Sequence, residues 1–185
     1  FRIPAFSAAL AVNILGFLTA FAAFLFIAQY LQSVLGLSPL RAGLWSIPSA
    51  LAFIVGSMFT PAIVRRFPPA YVIAGGMAIS AAGFILLALV DDAASQLAVL
   101  VVGSIVFSLG LTPVVTLTTD IVLSAAPPER AGAASALSET SSEFGGALGI
   151  AVMGSIVTAI YRGEIAGTFP QGVPAEAAEI ARSTI

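Results

Sequence analysis

Cysteine, histidine and lysine are all absent from this chain of 185 residues. Without cysteine there is no disulfide framework, and without cysteine or histidine the usual zinc sites cannot form. The same absences remove the side chains that most often act as nucleophile or general base in enzymes. We therefore expect no enzyme, no catalytic residue, no metal site and no cofactor in this chain.

Charge is also scarce, and apolar residues take its place. Charged residues make up 9% of the chain and hydrophobic residues 59%, with a mean hydropathy of +1.07. A soluble domain is typically about half apolar and about a quarter charged, so a soluble fold of this chain would leave much apolar surface in water. The composition indicates a lipid bilayer as the solvent. The seven arginines form no basic stripe of the kind that binds nucleic acid.

Five segments are long and apolar enough to cross a membrane as helices, since a core of ~30 Å needs roughly 20 mostly apolar residues. They cover residues 6–31, 40–64, 71–90, 97–123 and 131–161, and proline, serine or paired charges separate them. The predicted fold class is all-α, a polytopic membrane protein with five spans. The remaining residues, 163–185, are predicted to form an extracytoplasmic loop with room for a short interfacial helix.

The distribution of arginine predicts the orientation of these spans. With Phe1 in the cytoplasm, four arginines lie on the cytoplasmic side and three on the other, while most acids outside the spans lie on the other side. The clearest signal is the loop that contains Arg65 and Arg66 and no acid. We therefore expect the N-terminal end of the chain in the cytoplasm and its C-terminal end outside.

Two glutamates in the fifth span are the most informative residues of the chain. Glu139 and Glu143 are four residues apart and share one helix face. Counted from Ala131 at 1.5 Å per residue, they lie about 12 and about 18 Å into a core of ~30 Å. An ionised acid at that depth costs at least ~2.5 kcal/mol on insertion scales, and two on one face repel each other. Both effects favour protonation, so we expect the pair to bind protons and lipophilic cations in competition.

A structural role for the two glutamates is the alternative. In that interpretation they pair with arginine on a helix outside this chain, or they bond to neighbouring hydroxyls and stabilise packing. No arginine lies deep inside a predicted span, since Arg41 is at the outer end of the second one. Acids inside a membrane are functional by default, which favours the transport role.

Four further residues are candidates for the wall of a central cavity: Asn13, Gln29, Trp45 and Asp120. Asn13 lies about two turns into the first span, where helix packing is the alternative role. Gln29 and Trp45 lie at the outer ends of the first two spans, where tryptophan also fits an interfacial aromatic belt. Asp120 lies near the cytoplasmic end of the fourth span, where a solvated boundary acid is the alternative.

Two long motifs resemble a known family. The segment from Gln29 to Pro48 reads QYLQSVLGLSPLRAGLWSIP, and it is similar to the junction of spans nine and ten in fourteen-span drug:proton antiporters of the major facilitator superfamily. The segment from Ala126 to Ala136 reads APPERAGAASA. Together with the residues that follow, through both glutamates, it is similar to span thirteen of these exporters. The resemblance covers nearly the whole chain.

The resemblance implies that the chain is part of a C-terminal six-helix bundle, spans nine to thirteen, and that spans one to eight and span fourteen lie outside it. In such a fold two bundles rock about a site at the membrane midplane. The resemblance also implies that Glu139 and Glu143 take part in cation recognition or proton coupling.

The expected function is proton-coupled efflux of amphipathic, often cationic drugs across the cytoplasmic membrane of a bacterium, with actinobacterial exporters as the resembling members. The expected partners are lipophilic cations, protons, the lipid bilayer and the N-terminal half of the same transporter. An exporter of a lipid or a cell-envelope precursor on the same fold is the alternative. A non-catalytic membrane subunit is a third interpretation, which the cost of two acids near the midplane disfavours.

Overall fold

The computed structural model describes residues 4–90 and 95–168, and the side chains of 6–90 and 95–163. In these ranges the secondary structure is helical, without a strand. Its five long helices are α1 (Pro4–Gln29), α2 (Pro39–Val64), α3 (Pro69–Ala88), α4 (Gln96–Ser124) and α5 (Ala131–Thr168). Each contains a stretch that is long and apolar enough to span a membrane.

The first helix is extended beyond its predicted end. α1 continues without a break into a π-helical turn, Tyr30–Val34, so the apolar helical segment runs to Val34 rather than to residue 31. The other seven starts and ends of the first four predicted spans differ from the observed ones by a few residues at most. Asp91 and Asp92, in the predicted loop between the third and fourth spans, lie outside the described residues.

The last helix is longer than its predicted span. α5 continues to Thr168, so residues 163–168 are helical and the loop predicted to start at 163 is wrong for them. The physical reason is that residues 163–168 include no proline and that helix formation does not require apolar residues. The rest of the predicted tail, 169–185, with its short interfacial helix, lies outside the described residues.

A sharp corner joins α1 to α2. Gly36 has a φ of +63°, a conformation that L side chains rarely adopt, so glycine is required there. Ser38 caps α2, because its Oγ accepts a hydrogen bond from the Arg41 N–H at 3.4 Å. Pro39 follows as the first helical residue, where its missing N–H costs nothing.

α4 is the most buried helix and forms the centre of the bundle. α1, α2 and α3 all pack on it, and α5 packs mainly on α1. α3 and α4 approach closely at two glycines, since a Cβ on Gly110 would lie 2.6 Å from the Gly76 carbonyl oxygen. In the same contact the Ser80 hydroxyl donates a hydrogen bond to the Phe107 carbonyl at 3.2 Å.

Candidate functional site

An aromatic cavity of about 580 Å³ lies between α1, α2 and α4. Its volume is within the range of ~300–1,000 Å³ that is typical of small-molecule sites. Five aromatic side chains and three serines stand out in its walls: Phe17, Phe21, Phe24, Trp45, Phe53, Ser46, Ser49 and Ser104. The cavity is therefore large enough for a drug-sized molecule and offers it mainly ring faces and edges.

The three serines add no charge to the cavity. Each hydroxyl donates to a carbonyl of its own helix: Ser46 at 3.0 Å, and Ser49 and Ser104 at 2.8 Å. No ionisable side chain is among the described residues of the wall. The wall can thus offer a ligand mainly apolar and aromatic contact, a kind of surface that attracts cations to the ring faces and tolerates many shapes.

Asn13 is fully buried and joins three helices. Its Nδ2 donates a hydrogen bond to Thr118 Oγ1 of α4 at 3.1 Å, and its Oδ1 accepts one from Ser142 Oγ of α5 at 3.2 Å. Asn13 does not line the aromatic cavity. The structure places it in helix packing, the alternative that the sequence left open.

α1 and α5 run parallel and in close contact. A Cβ on Gly145 would lie 2.5 Å from the Ile14 carbonyl oxygen, and one on Gly149 would lie 2.9 Å from Leu18 Cα. The two backbones are thus as close as residues without side chains allow. This close approach brings Ser142, three residues before Gly145, within hydrogen-bond distance of Asn13.

Glu139 and Glu143 lie on the exposed side of α5, and Ser142 immediately precedes Glu143. Beyond Glu143, Gly146 contacts the Phe21 ring in the cavity wall, since a Cβ on Gly146 would lie 2.9 Å from Phe21 Cγ. Residues three or four apart are neighbours on a helix surface. Glu143 therefore lies about one helical turn from the edge of the aromatic cavity, and Glu139 about one turn further. The two acids form a row that leads to the cavity without lining it.

The other candidate residues fall in different places. Trp45 lies in the wall of the aromatic cavity, whereas Gln29 and Asp120 do not. Both are exposed, Gln29 at the end of α1 and Asp120 in the last turns of α4. The structure therefore places Trp45 in the cavity wall, the two glutamates on the exposed side of α5, and Gln29 and Asp120 at helix ends.

Sequence reasoning missed the phenylalanines of α1. Phe17, Phe21 and Phe24 follow the spacing i, i+4, i+7, which places them on one helix face. This periodicity was a usable signal for an aromatic wall. Thr118 and Ser142 were also missed, and no local signal distinguishes them from the many other hydroxyls in the spans.

In the part of the chain that the structure describes, five helices are long and apolar enough to span a membrane, and α1, α2 and α4 enclose a ligand-sized cavity. These features define a polytopic membrane protein. The sequence profile of the Major Facilitator Superfamily matches residues 1–150. The chain belongs to this superfamily, which is a family of membrane transporters.

Several bacterial efflux, export and resistance proteins are similar to this chain. The multidrug efflux pump LfrA of Mycolicibacterium smegmatis is 33% identical over 183 residues, which are 97% of this chain and 36% of the pump. The methyl viologen resistance protein SmvA of Salmonella typhimurium is 35% identical over 162 residues, 86% of this chain and 31% of that protein. The tetracenomycin C resistance and export protein of Streptomyces glaucescens is 34% identical over 132 residues, 71% of this chain and 24% of that protein. The chain thus spans about a quarter to a third of the length of these relatives.

Replacing Asn13 by alanine is expected to lower the free energy of unfolding of the full-length protein by about 1–2 kcal/mol. Two interhelical hydrogen bonds are lost, each worth ~0.6 kcal/mol on average in membranes. The small cavity that the substitution leaves adds to this cost. The measurement is thermal unfolding in detergent. Gln29→Ala, at an exposed position of the same helix, is the control. Equal melting temperatures for Asn13→Ala and Gln29→Ala would show that the buried network contributes nothing.

Proposed function

We propose that this chain is part of a proton-coupled exporter of amphipathic, often cationic drugs that works by alternating access. The observation that carries the proposal is the row of Glu139 and Glu143, which leads along α5 to the edge of the aromatic cavity. Relatives named for multidrug efflux and for resistance to methyl viologen support export of drugs.

In this proposal the cavity and the acids have separate tasks. The aromatic side chains contact the apolar body of the drug, and their ring faces attract its positive charge. The carboxylate of Glu143, assisted by Glu139, supplies the full negative charge that the cavity wall lacks. Substrates are then selected by charge and apolar surface rather than by shape.

Exchange follows from competition at the carboxylate. A proton that binds Glu143 neutralises it and removes its Coulomb attraction for the cation. A site open to the outside therefore releases the cation when a proton binds, and a site open to the cytoplasm binds the next cation when the proton leaves. One carboxylate thereby couples the inward movement of protons to the outward movement of drug.

The described helices supply one side of this site. Both glutamates are exposed, and Phe21 and Trp45 in the cavity wall are about 40% exposed. We propose that the N-terminal half of the same transporter faces them and that the two halves rock about the site. The drug would then lie between the aromatic wall described here and residues of the other half.

Transport by everted membrane vesicles that contain the full-length protein tests the proposal. The expected result is uptake of a fluorescent organic cation that requires an acidic vesicle interior and releases protons as the cation enters. A protonophore should stop this uptake, and vesicles without the transporter are the control. Uptake that is unaffected by the proton gradient would contradict proton coupling.

The alternative cargo is a lipid or a cell-envelope precursor. The observation that favours it is the nearly apolar wall of the cavity, which suits an acyl chain as well as a drug. The same vesicles distinguish the two cargoes. Movement of a fluorescent phospholipid without movement of any organic cation would favour the alternative.

We also propose that the protein lies in the cytoplasmic membrane of a bacterium, with the N-terminal end of this chain and the α2–α3 loop in the cytoplasm. Single cysteines at the exposed positions Ser33 and Phe67 test this in an otherwise cysteine-free protein. In intact cells a membrane-impermeant maleimide is expected to label Ser33→Cys and to label Phe67→Cys only after permeabilisation. The reverse pattern would mean the opposite orientation.

A further inference from the structure

An apolar groove lies between α2 and α3, away from the aromatic cavity. The two helices follow each other in the chain but hardly touch along their lengths. The groove has a volume of about 400 Å³, and Leu109 and Pro113 of α4 form its floor. None of its lining residues also lines the aromatic cavity, so the two are separate features.

The dimensions of the groove match one leaflet of a bilayer. On α2 it is lined from Ile63, next to the α2–α3 loop, back to Val55. Eight residues at 1.5 Å each make about 12 Å, close to half of a hydrocarbon core of ~30 Å. Glycine keeps the groove open on the opposite side, since a Cβ on Gly75 of α3 would meet no atom within 4 Å.

The walls of the groove are apolar and exposed. Phe59 is 62% exposed and Tyr71 is 74% exposed, and both line the groove. Its one threonine, Thr60, is buried and donates its hydroxyl to the Gly56 carbonyl at 2.8 Å, so it offers no free hydrogen to a ligand. The groove is thus suited to a hydrocarbon chain.

Positive charge gathers at the end of the groove. The α2–α3 loop carries Arg65 and Arg66, both exposed, and contains no acid. In the part of the chain that the structure describes, no ion pair joins either arginine to an acid. α3 starts at the same loop, and its N-cap Pro68 makes no side-chain hydrogen bond, so the positive end of the helix dipole adds to the attraction for an anion.

We propose that the groove and the loop together bind an anionic phospholipid. One acyl chain lies in the groove between α2 and α3, and the phosphate lies at Arg65 and Arg66. A zwitterionic phospholipid offers the same chain, but its positive headgroup offsets the attraction of the two arginines. The proposal is independent of drug export, because it involves neither the aromatic cavity nor the glutamates.

The first experiment tests whether lipid binding depends on the charge of the headgroup. It uses native mass spectrometry of the full-length transporter with added phosphatidylglycerol or phosphatidylcholine of equal acyl chains. Wild type is expected to prefer phosphatidylglycerol by roughly tenfold or more, since each basic side chain near an anionic lipid contributes to binding. The double variant Arg65→Gln with Arg66→Gln is expected to lose this preference. Arg130→Gln, in the loop between α4 and α5 on the same side of the membrane, is the matched control and should keep it.

The variant Gly75→Leu tests whether the acyl chain binds in the groove. Its side chain would extend into the groove, so binding of both lipids is expected to weaken by about tenfold, roughly the effect of two lost methylene contacts. Gly43→Leu is the control, because a Cβ on Gly43 of α2 also meets no atom within 4 Å but lies outside the groove. Inorganic phosphate alone is expected not to displace the lipid.

Three results would each overturn the proposal. The double arginine variant could retain the preference for phosphatidylglycerol, which would place the headgroup elsewhere. Gly75→Leu could bind both lipids as the wild type does, which would remove the chain from the groove. Inorganic phosphate could displace the lipid, which would make the loop a simple anion site.

Discussion

Glu143→Gln is expected to lower the affinity of the full-length transporter for organic cations by at least about tenfold and to abolish proton-coupled export. Two opposite unit charges ~5 Å apart attract each other by about 3 kcal/mol at an effective dielectric constant of ~20. That energy corresponds to a factor of more than ~100 in affinity, and water in the site reduces it. Glutamine keeps the size and hydrogen-bonding groups of the side chain but cannot carry the charge.

The pH dependence of cation binding separates this role from a structural one. In the wild type the affinity should fall as the pH falls, because protons neutralise the carboxylate that attracts the cation. The glutamine variant should bind weakly and lose that part of the pH dependence. Fluorescence titration of the purified transporter with a dye cation, at several pH values, measures both effects.

Two further variants serve as controls for Glu143→Gln. Glu129→Gln makes the same chemical change in the 3-10 turn before α5, about three helical turns before Glu139, and is expected to transport normally. Glu139→Gln should have a smaller effect, because Glu139 lies one turn further from the cavity edge. Normal, pH-dependent transport by Glu143→Gln would mean that the coupling acid lies elsewhere in the transporter.

Gly149→Val is expected to destabilise the full-length transporter by about 3 kcal/mol or more, at the upper end of the usual cost of overpacking. A Cβ at this position would meet the Leu18 backbone of α1, which cannot move aside as a flexible side chain would. α5 would have to shift away from α1, and the hydrogen bond between Ser142 and Asn13 would break with it. We expect poor expression, a lowered melting temperature and a loss of transport.

The matched control for this prediction lies five residues along the same helix. A Cβ on Gly154 meets no atom within 4 Å, so Gly154→Val tests the same substitution without the close contact. Its melting temperature should be near that of the wild type. If Gly149→Val were as stable as Gly154→Val, the close approach of α1 and α5 would not contribute to the stability of the fold.

Much of the helical architecture was predictable from local patterns. The five helices appear where apolar stretches of span length occur, and Gly36, Ser38 and Pro39 mark the corner between α1 and α2 as glycine, cap and first-turn residues usually do. The end of α5 was not predictable in the same way. The apolar stretch ends near residue 161, whereas the helix continues to Thr168, because helix formation does not require apolar residues.

The candidate site was predictable in its chemistry but not in its arrangement. Glu139 and Glu143 are conspicuous because an acid inside a membrane span is costly wherever the helix packs. Trp45 was expected in a cavity wall and lies in one, whereas Asn13 was expected in the same wall as one of two possible roles and lies in a buried network. Whether a polar residue faces a cavity or another helix depends on neighbours that its own span does not contain.

The sequence by itself determined that the described part of the chain is α-helical, has five helices long and apolar enough to span a membrane and carries two acids within the fifth, because composition and helical spacing act within single segments. Only the tertiary structure decided which helix faces meet. Asn13 bonds to residues 105 and 129 positions away in the chain, and the second of these contacts depends on where glycines let α1 and α5 approach. Phe21 lies beside Gly146 for the same reason, so α5 reaches the wall of the aromatic cavity through packing between distant segments rather than through any local pattern.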